Sequence, residues 1–315
     1  MDDDQKHIVT SHIASYWRVK SVTFTVKGER CSCITQGDPS AEPIIFLHGL
    51  GTNKSLWRSQ MQSYDNKKYY RIALNVPGAC LTHYFNDRKH TLHELCRWLD
   101  GTLDWFGFKK VHIVAHSMFT LISTFYAATR PDRIETLFLM SIPDMWGSGE
   151  VGKSSKDITK KLRADIDHQS VDDSIDFLNS LFYNPPSIPR AISRSGFLRH
   201  KKFIGKFNTV LDDLEQGLPL IMPQTKNIQC PLLIINGESD PYSSKEFIES
   251  LRWHYPTANT VNLLQCAHLL MLEKPVELHK IHSQFLNHGY VTATSEYSDI
   301  VHTQGVLQHR YSIIK

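Results

Sequence analysis

The sequence predicts an α/β fold, a mostly parallel sheet flanked by helices, with a block of helices inserted late in the chain. Short β-branched apolar runs alternate with helix-period segments, as successive βαβ units require. That alternation stops between Pro143 and about Ile228, where only helical patterns occur. Finally, the run 111–119, Val-His-Ile-Val-Ala-His-Ser-Met-Phe, delivers a serine from an apolar strand directly into a helix-compatible segment. A sharp strand-to-helix turn of this kind pushes one hydroxyl out at the carboxyl edge of a sheet.

In chain order, residues 19–26 and 30–36 read as a strand pair turning at Lys27-Gly28. Segments 43–47 and 70–76 are short buried-type strands that end in His48-Gly49 and Pro77-Gly78. Strands at 111–116, 134–140, 231–235 and 260–264 complete a set of eight. Between them the spacing predicts helices at 53–63, 91–105, 118–129, 244–254 and 275–286. The inserted block reads as helices at 158–166, 171–182 and 197–214, a helical cap covering 143–228. The sheet domain is then 18–142 and 229–289, and the polar stretches 1–17 and 290–315 read as loosely packed tails.

Composition narrows the function classes. With 41% hydrophobic and 21% charged residues the chain is ordinary for a globular protein, and a net charge of +3 is too small to suggest nucleic acid as a partner. The six cysteines are scattered without paired zinc-site spacing, so no metal site is expected from them. The acidic, polar start carries no secretory pattern, and no apolar run reaches the 18 residues of a membrane span. A soluble, cytoplasmic protein is the expectation; oligomeric state is not legible.

Chemistry concentrates just after strand ends, where parallel sheets bind ligands. Serine is a weak nucleophile and needs a base oriented by a third group. Asp240 lies in the turn Asn236-Gly237-Glu238-Ser239-Asp240-Pro241 after one strand, and His268 lies in Gln265-Cys266-Ala267-His268 after the next. With Ser117 they stand in the order Ser, acid, His. His48-Gly49-Leu50-Gly51 follows the strand 43–47 and can turn a backbone N–H to the same point, so Leu50 and Met118 are the candidate oxyanion donors. Asp144 is an alternative acid, though capping the start of the inserted block is its plainer use.

These motifs together resemble the α/β-hydrolase fold superfamily, over roughly residues 19–287. The resemblance rests on His48-Gly49-Leu50-Gly51, Val76-Pro77-Gly78, Ser117-Met118, Gly237-Glu238-Ser239-Asp240-Pro241, and Ala267-His268 with Leu272-Glu273-Lys274-Pro275. It is greatest to capped serine esterases such as monoacylglycerol lipases and to hydrolases of ring-cleavage products. It implies Ser117 as nucleophile, His268 as general base and Asp240 as the orienting acid. It also implies a serine esterase acting without a cofactor on a small acyl ester such as a monoacylglycerol.

Departures from the family pattern point the other way. Members usually read Gly-His-Ser-Met-Gly-Gly, where this chain has Ala115-His116-Ser117-Met118-Phe119-Thr120, and the usual Pro-Gly-His-Gly is Pro77-Gly78-Ala79-Cys80. Alanine at 115 adds one methyl. Phe119 must either wedge the helix from the strand or swing into the acyl pocket, so it joins His48 and Gly49 as a pocket-shaping residue. The alternative function is therefore an impaired α/β-hydrolase-like binding protein.

Three further patterns compete for attention. Residues 147–154, Gly-Ser-Gly-Glu-Val-Gly-Lys-Ser, fit a P-loop, but no strand leads directly into them, and a Gly/Ser hinge is the better reading. Residues 194–206 mix Arg and Lys with Phe, Leu and Ile, as in a helix resting on an anionic lipid surface or, more commonly, one burying a face on the core. His279 and His282 have metal-ligand spacing with no third ligand near and read as surface histidines.

Overall fold

The computed structural model describes residues 13–14, 19–80, 84–85, 88–144, 155–291 and 298–302. Its strands are β1 (Ile13–Ala14), β2 (Val19–Val26), β3 (Glu29–Gln36), β4 (Glu42–Leu47) and β5 (Tyr69–Leu74), then β6 (Val111–His116), β7 (Ile134–Met140), β8 (Leu232–Gly237), β9 (Ala258–Leu263) and β10 (Ser298–His302). They form one sheet in the order β1-β2-β3-β5-β4-β6-β7-β8-β9-β10. From β5 across to β9 every pairing is parallel, while β2 and β3 are antiparallel. This is the predicted eight-stranded, mostly parallel sheet, extended by one antiparallel strand at each edge. Both added strands come from segments read as loose tails. An outer strand can be held by one ladder of backbone hydrogen bonds, so a short segment without apolar alternation can form it.

The helices are α1 (Arg58–Gln62), α2 (Leu92–Phe106), α3 (Met118–Thr129), α4 (Ser155–Ile166), α5 (Val171–Ser180), α6 (Arg190–Glu215), α7 (Leu218–Ile221), α8 (Lys245–His254), α9 (Leu270–Glu273) and α10 (Pro275–His288). Local chemistry sets their ends. Thr91 caps α2 through the Glu94 N–H, and Gly107 closes it in the left-handed region. Ser170 and Asp173 form a capping box on α5. The predicted helix 53–63 is instead a 3₁₀ turn, Lys54–Trp57, running into α1, and Asn53 caps the turn through the Ser55 N–H. Helix α6 starts at Arg190, before the predicted 197. Its first turns carry exposed residues with no apolar period to read, and Arg190 is held by Asp172 of α5.

Side chains alternate across the central strands and bury both faces. Ile45, Leu47, Ile113, Ala115, Leu137, Leu139, Leu232 and Ile234 pack with α2, α3 and α8. Ile44, Phe46, Val114, Phe138, Met140, Leu233 and Ile235 pack on the other face with α1 and α10. A period-2 pattern that is apolar in both phases is the mark of a strand covered on both sides. The helices α4 to α7 are inserted between β7 and β8, over the carboxyl ends of the strands.

Candidate active site

Ser117 joins β6 to α3 with φ +56° and ψ −132°, a conformation that a non-glycine residue adopts only under constraint. The constraint is visible. The Ser117 N–H donates to Met140 O at 2.9 Å, anchoring the bend to the end of β7. Gly49 permits it from the other side, since a Cβ there would sit 2.8 Å from Ser117 Cβ and 3.0 Å from His116 Nδ1.

The loops after β8 and β9 bring Asp240 and His268 to this bend. His268 Nδ1–H donates to both Asp240 carboxylate oxygens, at 3.0 and 2.9 Å. Nε2 is thereby left as the acceptor for the Ser117 hydroxyl, 3.0 Å away. Burial pushes the Asp240 carboxyl up, but His268, the Tyr242 N–H and Ser141 more than offset it and hold it below the ordinary value. The histidine backbone is clamped as well. Its carbonyl accepts from His116 Nε2–H at 2.9 Å and Ser141 Oγ–H at 3.0 Å, and its N–H donates to Leu181 O at 3.1 Å.

Leu50 and Met118 line the same cavity as the serine and offer backbone donors there. Among the described residues neither the Leu50 nor the Met118 N–H has an acceptor. The Gly51 N–H, donating to Ala79 O at 2.7 Å, fixes the turn that carries Leu50. Above the serine is a cavity of about 180 Å³. Its floor includes Ser117, His268, Leu50 and Met118, while Leu162, Ile166, Phe177 and Phe207 close it from α4, α5 and α6. A hydroxyl, an oriented imidazole and two free N–H groups at one point can support nucleophilic attack on a carbonyl.

Known proteins place this architecture. A family model described as alpha/beta hydrolase fold matches residues 42–151. Lipase 1 of Psychrobacter immobilis is 23% identical over 281 residues, covering 85% of this chain and 84% of that protein. The (E)-2-((N-methylformamido)methylene)succinate hydrolase of Acinetobacter baylyi is 22% identical over 242 residues, covering 76% and 88%. Among solved structures, the 2-hydroxy-6-oxo-6-phenylhexa-2,4-dienoate hydrolase of Rhodococcus sp. strain RHA1 has the same fold, with a TM-score of 0.73 at 18% identity over 88% of this chain and all of that one. The chain has the α/β-hydrolase fold.

Several expectations for this chain change on contact with the structure. Phe119 does not shape the pocket. It is 2% exposed, belongs to the core cluster shared by α2, α3 and α8, and is absent from the cavity lining. The ring is buried in the core rather than in the cavity, so the ground for an acyl site filled by Phe119 is gone. Phe119→Gly is accordingly expected to lose about 3–5 kcal/mol of stability and to leave Ser117 no more reactive, as thermal denaturation and probe labelling would show. His48 also acts behind the cavity, its Nε2 accepting the Val76 N–H at 3.1 Å. Gly49 acts through closeness to Ser117 rather than as lining. Asp144 is buried but directs its backbone N–H to Tyr242 O, and the carboxylate on His268 is that of Asp240. His282 is not a surface residue; it is buried against Tyr64, whose hydroxyl is 2.6 Å from Nδ1. The P-loop-like run 147–154 lies outside the described residues.

Two site residues escaped the sequence reading. His116 ends β6 and Ser141 directly follows β7, the neighbouring strand, and that position beside Ser117 was the available signal. Burial drives the His116 ring down to about 3, with the adjoining His268 adding to the effect. Burial likewise lowers His112, His168 and His282. In the unfolded chain each such ring takes up a proton near pH ~6.5. The folded state then binds fewer protons, so stability falls with pH below that point, for His116 down to about pH 3 and by up to ~1.4 kcal/mol per pH unit. Melting temperatures should drop steadily from pH 6.5 to pH 4 (roughly the window for a ring of ordinary unfolded pKa), and less steeply in His116→Asn.

Proposed function

We propose that this protein is a serine hydrolase that cleaves a neutral carboxylic ester of short or medium acyl chain, a monoacylglycerol being one such substrate. The observation that carries the reading is the continuous Asp240–His268–Ser117 hydrogen-bond line, 2.9 and 3.0 Å, on the floor of an apolar cavity. In this reading Ser117 Oγ attacks the carbonyl carbon as its proton passes to His268 Nε2. Asp240 holds the imidazole in the required tautomer and stabilises the imidazolium. The Leu50 and Met118 N–H groups receive the oxyanion. Collapse breaks the acyl C–O bond, and the proton on Nε2 leaves with the alcohol. Water, deprotonated by the same nitrogen, then releases the acid and restores Ser117.

Carbon–carbon hydrolysis could use the same residues. The relatives' names that carry a succinate or a dienoate denote carboxylate substrates, whereas no Lys or Arg lines this cavity among the described residues. That favours an uncharged acyl group. The volume of about 180 Å³ is below the ~300–1,000 Å³ usual for drug-sized ligands, which favours a short chain. Delivery from a membrane surface fits α6, where Arg194, Arg199 and Lys202 are exposed around exposed Leu198 and have no ion-pair partner among the described residues. No helix among those residues is long and apolar enough to cross a membrane.

The test is a fluorophosphonate label followed by an ester series of increasing acyl length. Rapid labelling of the folded protein, and a kcat/KM that peaks at short to medium chains, are expected. Folded protein that neither labels nor turns over any ester overturns the reading. Presenting the ester in phosphatidylglycerol rather than phosphatidylcholine vesicles tests the surface on α6, with faster turnover expected on the anionic lipid.

A further inference from the structure

Glu273, at the end of α9, contributes nothing to the cavity lining, yet its carboxylate joins two segments far apart in sequence. Oε1 accepts the Tyr183 N–H at 2.8 Å and the Asn184 N–H at 3.1 Å, both in the link between α5 and α6. Oε2 accepts the Ala267 N–H at 2.8 Å, in the residue before His268. The same two segments are stitched a second time, since Leu181 O accepts from the His268 and Leu269 N–H groups at 3.1 and 3.2 Å. Leu181 and Leu269 both line the cavity.

We propose that Glu273 is a positioning residue. It locks the wall formed by the α5–α6 link to the loop that carries His268, so that one carboxylate sets both the placement of the imidazole and the position of Leu181. The assignment rests on the reading of His268 as the base.

The physical ground is the number and placement of donors. Three backbone N–H groups converge on one carboxylate, and Ala267 is 1% exposed, so its N–H has little access to water as a substitute. A carboxylate accepts on both oxygens, whereas an amide accepts on one and presents an NH₂ with the other. Glu273→Gln is therefore nearly isosteric but cannot hold both segments. Glu273→Asp keeps the charge and retracts it by one methylene, serving if the alanine variant does not fold.

Amide hydrogen exchange decides the clamp without reference to activity. In Glu273→Ala, which removes both acceptor oxygens, both 181–184 and 266–269 should exchange about tenfold faster, the loss of one hydrogen bond to a charged group in each, with exchange in the central strands unchanged. Labelling of Ser117 by the fluorophosphonate should slow by about tenfold, with kcat falling and KM for a short ester nearly constant, as expected for a displaced base. Exchange that rises in only one segment, or in neither, overturns the proposal. So does coupled exchange with labelling at the wild-type rate, which would leave Glu273 a purely structural tie. Wild-type protein that never labels defeats the serine-hydrolase reading and with it the positioning role, while the exchange result still decides whether the clamp exists.

Discussion

Ser117→Ala is expected to lower kcat on the best ester by about 10⁶-fold, the scale at which removing the nucleophile of a Ser–His–Asp unit disables it. Residual turnover of about 10³–10⁴ over water should persist, because the oxyanion donors and the cavity remain. His268→Ala should lose a similar amount, and the double variant hardly more, since the hydroxyl and the imidazole act as one device at 3.0 Å. The fold should survive. The strained bend is held by the Ser117 backbone N–H on Met140 O and by the room left at Gly49, neither of which needs the hydroxyl. Steady-state kinetics with melting curves checks this: large losses with unchanged melting temperature are expected. A loss of less than tenfold in Ser117→Ala would place the reaction elsewhere.

Gly237→Ala is expected to be the most damaging small change away from the reacting atoms. Gly237 ends β8, and a Cβ there would lie 2.3 Å from Ala267 O and 2.6 Å from Cys266 O. Those are backbone atoms in the loop that delivers His268, so no side chain can swing aside. The loop must shift or the sheet must part, at about 2–3 kcal/mol for overpacking of this kind. A displacement of about 1 Å at a catalytic group costs roughly 10²-fold in rate, so kcat/KM should fall by that order while far-UV circular dichroism stays native. Gly196→Ala is the control, because Gly196 lies inside α6 with nothing within 4 Å of the added carbon. Equal activity in the two variants would show that the loop has slack the structure does not display.

The two alanines also mark the boundary of what patterns convey. Strands β4 to β8 were legible because apolar residues in both phases of a short run have few alternatives to a doubly covered sheet. Helices α2, α3, α8 and α10 were legible as helix-period segments alternating with strands. The first turns of α6 and the edge strand β10 were not, because the former carry exposed residues and the latter has no apolar alternation in its sequence. Phe119 was misread for a related reason. Its type shows that bulk is present after the serine, but only the packing shows that the bulk goes into the core.

By itself the sequence determined the α/β class, the inserted helices and a short set of polar residues at strand ends, because hydrophobic periodicity and turn chemistry act locally. The tertiary structure alone decided that Ser117, His268 and Asp240 meet within hydrogen-bond distance, that Gly49 and Gly237 are close approaches, and that Glu273 spans two distant segments. Those facts depend on contacts between residues up to 151 positions apart, which no local pattern encodes; sub-ångström fit is a property of the packed whole.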